Sequence, residues 1–194
     1  MTPPLRPAIF LDRDGVINRE DGYILRPDQF ELYPWTLQAL RQLQGAGYLL
    51  VVVTNQSAIA RGLLTEAGLA AIHHKLKETL KAGGVQLDGI YYCPHHPGDS
   101  ETEARRPYVE KCLCRKPLPG LLDQAHADLG IDWQRSWLIG DAPRDIAAGQ
   151  ARGVRTIGVR TGHGHKRFET HPRPDVVVAH LGDAAELIVK LVTL

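Results

Sequence analysis

No stretch of this chain approaches the roughly 20 consecutive apolar residues that a membrane-crossing helix requires, so a bilayer-spanning helix is excluded. An excess of charge of one sign is also missing. The formal net charge is +1 over 194 residues, which provides no global attraction to nucleic acid or to an anionic membrane surface. Cysteine is scarce: there are three, two of them in the tripeptide CLC at 112–114. Three thiols cannot all pair internally, so a disulfide scaffold is not expected and a reducing cytoplasm is. The leading residues MTPPLRPAIF carry no apolar core of a secretory signal, which points the same way. Repeats and low-complexity tracts are absent. The remaining balance, 43% hydrophobic and 23% charged, is that of a soluble globular domain, and the length suffices for one with a real core. Oligomeric state is not encoded in any feature of this kind, and a monomer is compatible with all of them.

What is present alternates. Residues 8–11 (AIFL) and 48–53 (YLLVVV) read as strands, the second a β-branched run suited to burial on both faces. Further strands are predicted over 85–93, 137–141, 154–159 and 175–180. Helices are predicted from about Trp35 to Gln44, over 65–81, 118–129 and 144–151, and at the end of the chain. In the second, Leu69, Ile72, Leu76 and Leu80 recur at three- and four-residue steps, and Gly83-Gly84 stops it. In the last, Leu181, Ala184, Leu187, Ile188 and Leu191 form the apolar face. Such alternation predicts an α/β fold, a doubly wound parallel sheet in a single domain spanning 1–194. Residues 93–116 depart from it. They are polar, Pro-rich and longer than a usual connection, so the segment is expected to be functional or held by something other than packing.

The predicted strand ends carry polar residues. The first ends in Asp12-x-Asp14, the second in Thr54-Asn55-Gln56-Ser57, and WLIG in Asp141 with Asp145 four residues on. The long loop ends in Arg115-Lys116 before a helix. If the extended geometry persists, Asp12 and Asp14 face the same way, and like charges that close repel unless a cation or proton lies between them. Each piece alone is ordinary: a turn, a polar loop, an acidic helix entry, a surface lysine. Their coincidence at the carboxyl ends of strands, where open α/β sheets bind ligands, is not. The set suits phosphoryl transfer. One carboxylate attacks phosphorus to form an acyl phosphate, and the other gives a proton to the leaving oxygen and later takes one from water. A hard divalent cation, Mg²⁺, relieves the carboxylate repulsion, while a hydroxyl, backbone amides and a lysine stabilise the transferring oxygens.

The long loop holds a second constellation. Cys93-x-His95 and Cys112-x-Cys114 supply three thiolates and an imidazole, a complete tetrahedral set for structural Zn²⁺. All three cysteines of the chain fall here, in the segment with no apolar core, where a metal staple gives order that packing does not. The alternative is three incidental thiols. His96 is a rival ligand; His95 is preferred because it pairs with Cys93 across one residue, as Cys112 does with Cys114.

The order D-x-D-G-V, hydrophobic-T-N, K-P, G-D-x-x-x-D resembles the four motifs of the haloacid dehalogenase superfamily of phosphatases, over nearly the whole chain. The resemblance implies a Rossmann-like domain of that type, with Asp12 the nucleophile and Asp14 the acid/base. It implies that Thr54 and Lys116 hold the phosphoryl group. Mg²⁺ would lie between Asp12, the main-chain carbonyl of Asp14, and Asp141, with Asp145 ordering the loop or reaching the metal through water. FLDRDGVIN, DGY, TNQSAIARG, CPHHP and CLCRKPLPG together resemble the D-glycero-D-manno-heptose-1,7-bisphosphate 7-phosphatases, which are related to bacterial histidinol-phosphate phosphatases. That likeness implies removal of the 7-phosphate in the synthesis of nucleotide-activated heptose, a zinc site of Cys93, His95, Cys112 and Cys114, and no large cap domain. Arg115, Glu20, Asp21, Gly22, Tyr23 and residues Thr54, Asn55, Gln56 and Ser57 would meet the substrate. Ala58, Trp35 and the absence of lysine after Asp141 depart from the family pattern and bear on substrate identity. Hydrolysis of histidinol phosphate, or a non-catalytic phospho-accepting module, are the alternatives, though a pure acceptor has no use for Asp14. His73-His74 is expected at the edge of the core, and residues 162–167 (GHGHKR), with His163 and His165, as a solvated glycine-rich loop.

Overall fold

The structure, a computed structural model, describes residues 4–98, 107–164, 168 and 172–192. Six strands, β1 (Ala8–Leu11), β2 (Leu49–Asn55), β3 (Gly89–Cys93), β4 (Trp137–Gly140), β5 (Arg155–Val159) and β6 (Val176–Val178), form one sheet in the order β3-β2-β1-β4-β5-β6. Every pairing is parallel. The α-helices are α1 (Thr36–Gly45), α2 (Glu66–Ala82), α3 (Gly120–Leu129), α4 (Pro143–Gln150) and α5 (Leu181–Val192). This is the doubly wound sheet that the alternation predicts, with no large cap among the described residues.

The central strands are apolar without interruption because both of their faces are covered. Ile9, Leu11, Leu50, Val52 and Ile139 point into one hydrophobic cluster, and Ala8, Phe10, Val51, Val53 and Leu138 into the other. This is the two-residue period of a strand read on its two sides. Each large aliphatic side chain so buried contributes roughly 1.5–3 kcal/mol. α2 begins where Thr65 accepts the Gly68 amide (3.0 Å) and ends before Gly84, whose φ of +76° favours glycine.

Several boundaries differ from the sequence expectation, among them those of β3 and α3. β3 starts at Gly89 rather than Val85, because the preceding loop is braced elsewhere: the Gln86 amide donates to Gln44 Oε1 and Asp88 Oδ2 accepts from the Leu50 amide. α3 starts at Gly120, after Pro117 and Pro119. β1 pairs with both β2 and β4, so the winding reverses between β1 and β4 and a crevice opens beyond their carboxyl ends.

Candidate active site

The crevice floor is a sealed charge cluster. Asp12 follows β1 directly, its amide still bonded to Ile139 O (3.1 Å) in the β1–β4 ladder. Lys116 lies beneath it, 1% exposed. The Lys116 ammonium sits 3.1 Å from Asp12 Oδ1 and 2.7 Å from Asp145 Oδ1, and donates to Val53 O at 2.7 Å. Burial alone would lower this ammonium, but Asp12 and Asp145 outweigh it and hold it above its ordinary value. Asn55 fixes the lysine through the main chain: the Lys116 amide donates to Asn55 Oδ1 (3.1 Å), and Asn55 Nδ2 donates back to Lys116 O (3.0 Å). Burial pushes the Asp12 carboxyl up to about 6 despite the lysine.

The strand does not continue to Asp14, and its carboxylate has a different set of partners from that of Asp12. β1 stops at Leu11, and the chain turns so that Arg13 grips Asp14 in a fork, Nε at 3.0 Å and Nη2 at 2.8 Å. Asn18 Nδ2 and Gln56 Nε2 each add a bond of 3.0 Å. Burial raises this carboxyl, but Arg13, Asn18 and Gln56 outweigh it and hold it below its ordinary value. Asp14 is therefore an ionised acceptor in this state. It must collect a proton before it can give one.

Asp12, Asp141 and Asp145 are all buried, and their carboxylates offer oxygens within 4.8 Å of one another. Asp141 Oδ2 accepts the His163 amide (2.7 Å), whereas Oδ1 is buried and has no partner. Burial, then Asp12 and Asp145, push the Asp141 carboxyl up to about 8. An orphaned buried carboxylate oxygen in an all-oxygen cluster fits a hard cation such as Mg²⁺. Two glycines leave room for the other oxygen, Oδ2. A Cβ on Gly15 (φ +80°) would meet Asp141 Oδ2 at 2.5 Å, and one on Gly162 (φ +56°) at 2.4 Å.

Above the floor lies a cleft of about 270 Å³, lined by Asp14, Glu20, Gly22, Tyr23, Ile24, Asn55, Gln56, Ser57, Arg115, Arg144 and His163. Most of the expected substrate residues are there. Asp21 is exposed and off the wall, and Thr54 is buried below it, its hydroxyl accepting from Gln56 Nε2 (2.9 Å). Burial, then Asp14 and Asp12, push the Glu20 carboxyl up to about 7, and Glu20 Oε2 meets His163 Nε2 at 3.2 Å. His163 thus borders the site although it stays solvent-exposed, as the glycine-rich loop was expected to be, because Gly162 packs against Gly15 and the next amide bonds Asp141. His165 lies outside the described residues. Arg144 was not singled out from the sequence; GDAPRD reads as an acidic helix entry, and no local pattern shows which way its arginine turns. His73 is buried and His74 exposed.

The four thiol and imidazole groups also converge. Cys112 Sγ lies 3.5 Å from Cys93 Sγ and 3.3 Å from Cys114 Sγ, while His95 Nδ1 lies 3.7 Å from Cys93 Sγ and 3.3 Å from Cys114 Sγ. These separations are too long for disulfides and near the roughly 3.7 Å edge of a tetrahedron built with zinc–sulfur bonds. His95 Nε2 faces Glu110 Oε1 at 3.1 Å, the carboxylate support typical of a metal-bound imidazole. The His96 ring turns away, 3.2 Å from Arg61 Nη2.

Comparisons with known proteins agree with this geometry. Residues 113–184 match the HAD-hydrolase-like family model. The chain is 45% identical over 159 residues to the D-glycero-beta-D-manno-heptose-1,7-bisphosphate 7-phosphatase of Pasteurella multocida, covering 81% of this chain and 84% of the relative. It is 44% identical over 183 residues to that of Photorhabdus laumondii, covering 94% and 95%. The D,D-heptose 1,7-bisphosphate phosphatase of B. bronchiseptica, solved with magnesium and phosphate, superposes with a TM-score of 0.83 at 35% identity, covering 95% of this chain and 99% of that one. A central parallel sheet, its carboxylate floor and this degree of likeness together establish that the chain belongs to the D-glycero-beta-D-manno-heptose-1,7-bisphosphate 7-phosphatase family of HAD-like hydrolases.

Proposed function

We propose that the chain, as a single phosphatase domain, hydrolyses a phosphate monoester through an aspartyl phosphate on Asp12, and that its substrate is D-glycero-D-manno-heptose 1,7-bisphosphate, cleaved at the 7-phosphate. The observation that carries the chemistry is the buried Lys116 bridging Asp12 and Asp145 beside the unpartnered oxygen of Asp141. Asp12 attacks phosphorus and the bond from phosphorus to the sugar oxygen breaks, with Asp14 delivering a proton to that oxygen. Water then attacks the acyl phosphate, Asp14 takes its proton, and Asp12 is released with inorganic phosphate. Lys116 and the Thr54 hydroxyl offset the charge on the transferring oxygens. Asp12, Asp141 and the main chain of Asp14 would hold Mg²⁺, which supplies charge neutralisation and Lewis acidity when bound. Zinc on Cys93, His95, Cys112 and Cys114 would order the loop.

The substrate reading draws on the names of the relatives and on Arg115, whose planar fork on the cleft wall suits a phosphate or several hydroxyls. No helix among the described residues is long and apolar enough to cross a membrane. We assign the enzyme to the cytoplasm, where its three thiols stay reduced. The test is a panel of both anomers of heptose 1,7-bisphosphate, histidinol phosphate and p-nitrophenyl phosphate. The highest kcat/KM is expected on a heptose bisphosphate; a preference for histidinol phosphate would replace the substrate and leave the mechanism standing.

A further inference from the structure

Arg144 takes no part in the chemistry above. It is the second residue of α4, next to Asp145, and its side chain lines the cleft with Arg115, Glu20 and His163. Its Nε is buried with no hydrogen-bond partner, and no carboxylate among the described residues forms an ion pair with it. The residue as a whole is half-buried, and a buried donor left unpaired is costly unless an acceptor meets it.

The charges of the floor indicate which anion. Four carboxylates, Asp12, Asp14, Asp141 and Asp145, face two cations in contact with them, Lys116 and Arg13. A divalent cation completes neutrality and leaves nothing for the oxygens that a phosphate ester brings in. Arg115 also lines the cleft but is committed through Nη1 to His95 O (2.9 Å). Arg144 lines the same cleft as Asp14 and precedes Asp145 in α4, and Asp145 and then Asp12 hold it above its ordinary value against the effect of burial.

We propose that Arg144 is a phosphoryl-binding residue whose guanidinium donates to the peripheral oxygens of the transferring group from the cleft side, while Lys116 reaches them from the floor. This rests on the phosphatase reading. It differs from the role given to Arg115 because its target is common to every ester.

The test measures kcat and KM of Arg144→Gln and Arg144→Lys on heptose 1,7-bisphosphate and on p-nitrophenyl phosphate, with inhibition by inorganic phosphate as a separate binding readout. Arg144→Gln should lower kcat/KM on both esters by about 100-fold, as for loss of a donor to a developing oxyanion. It should also weaken inorganic phosphate about 10- to 100-fold. Arg144→Lys should recover part of both, since it keeps the charge, and it serves as the test if the glutamine variant fails to fold. A loss confined to the bisphosphate would place Arg144 with Arg115 on the remote part of the substrate and overturn the proposal. Unchanged phosphate inhibition, with or without a fall in melting temperature, would overturn it too. Failure of the wild type to hydrolyse any ester would instead sink the phosphatase reading.

Discussion

Arg115 is tied to the histidine of the thiol cluster: its Nη1 donates to the main-chain oxygen of His95 at 2.9 Å. The metal site and the substrate cleft are therefore mechanically joined. Stripping zinc, or Cys112→Ser, should lower the melting temperature and raise KM for the bisphosphate, while kcat on p-nitrophenyl phosphate changes little. Elemental analysis finding no zinc in freshly purified protein, or a KM that ignores chelation, would refute the link.

Asp12→Asn and Asp14→Asn should both abolish turnover, yet differ in their effect on stability. Asp12 is ionised at a cost in the free protein, as its raised pKa shows, so the neutral amide should leave stability unchanged or improve it. Asp14→Asn strands the Arg13 guanidinium, which is 1% exposed. Breaking a buried pair in this way costs about 3 kcal/mol. Chemical denaturation of the metal-free variants checks the contrast; equal shifts would show that the two carboxylates are not held as described.

The pH dependence follows from the raised carboxyls. Asp141 is lifted from 3.8 to about 8 and Glu20 from 4.5 to about 7. Above its unfolded pKa each group ionises more readily in the unfolded chain than in the folded one. Their effect on folding is therefore destabilising as pH rises from about 4 through 8. The metal-free protein should thus melt at a lower temperature at pH 8 than at pH 6. Mg²⁺ binding should strengthen over the same range, since Asp141 has to lose its proton to bind. Calorimetry in buffers of different ionisation heat would detect the released proton, and its absence at pH 7 would contradict the Asp141 assignment.

Gly15→Ala should weaken Mg²⁺ without replacing an ionisable group. The added methyl would lie 2.5 Å from Asp141 Oδ2, on a backbone whose φ of +80° already disfavours alanine. The expected signature is a higher Mg²⁺ requirement for turnover. Normal metal dependence would mean that the turn relaxes freely.

The sheet was legible because the centre of the fold is written twice, as continuous apolar runs and as polar residues where those runs stop. Lys116 was legible only through its company with the other polar strand ends and through resemblance. A buried lysine in a Pro-rich loop has no local signature, since its neighbours Asp12 and Asp145 arrive from β1 and α4. His163 and Arg144 lay beyond reach for a related reason. The first is placed by the contact of Gly162 with Gly15, and the second by the rotation of α4 against the sheet; neither is a property of the local sequence. The turn that separates Asp12 from Asp14 depends likewise on Gln56 and Asn18 capturing the second carboxylate.

Both ends of the 93–116 loop are pinned to the end of β2. Cys93 O accepts the Gln56 amide at 2.8 Å, and Lys116 is clasped by Asn55. The loop therefore leaves and rejoins the sheet at two fixed posts. Within such a scaffold, selectivity can diversify by swapping a cassette while the hydrolytic apparatus is inherited intact. The natural splice points for a chimera are Cys93 and Lys116, with Asn55 and Gln56 kept as their sockets.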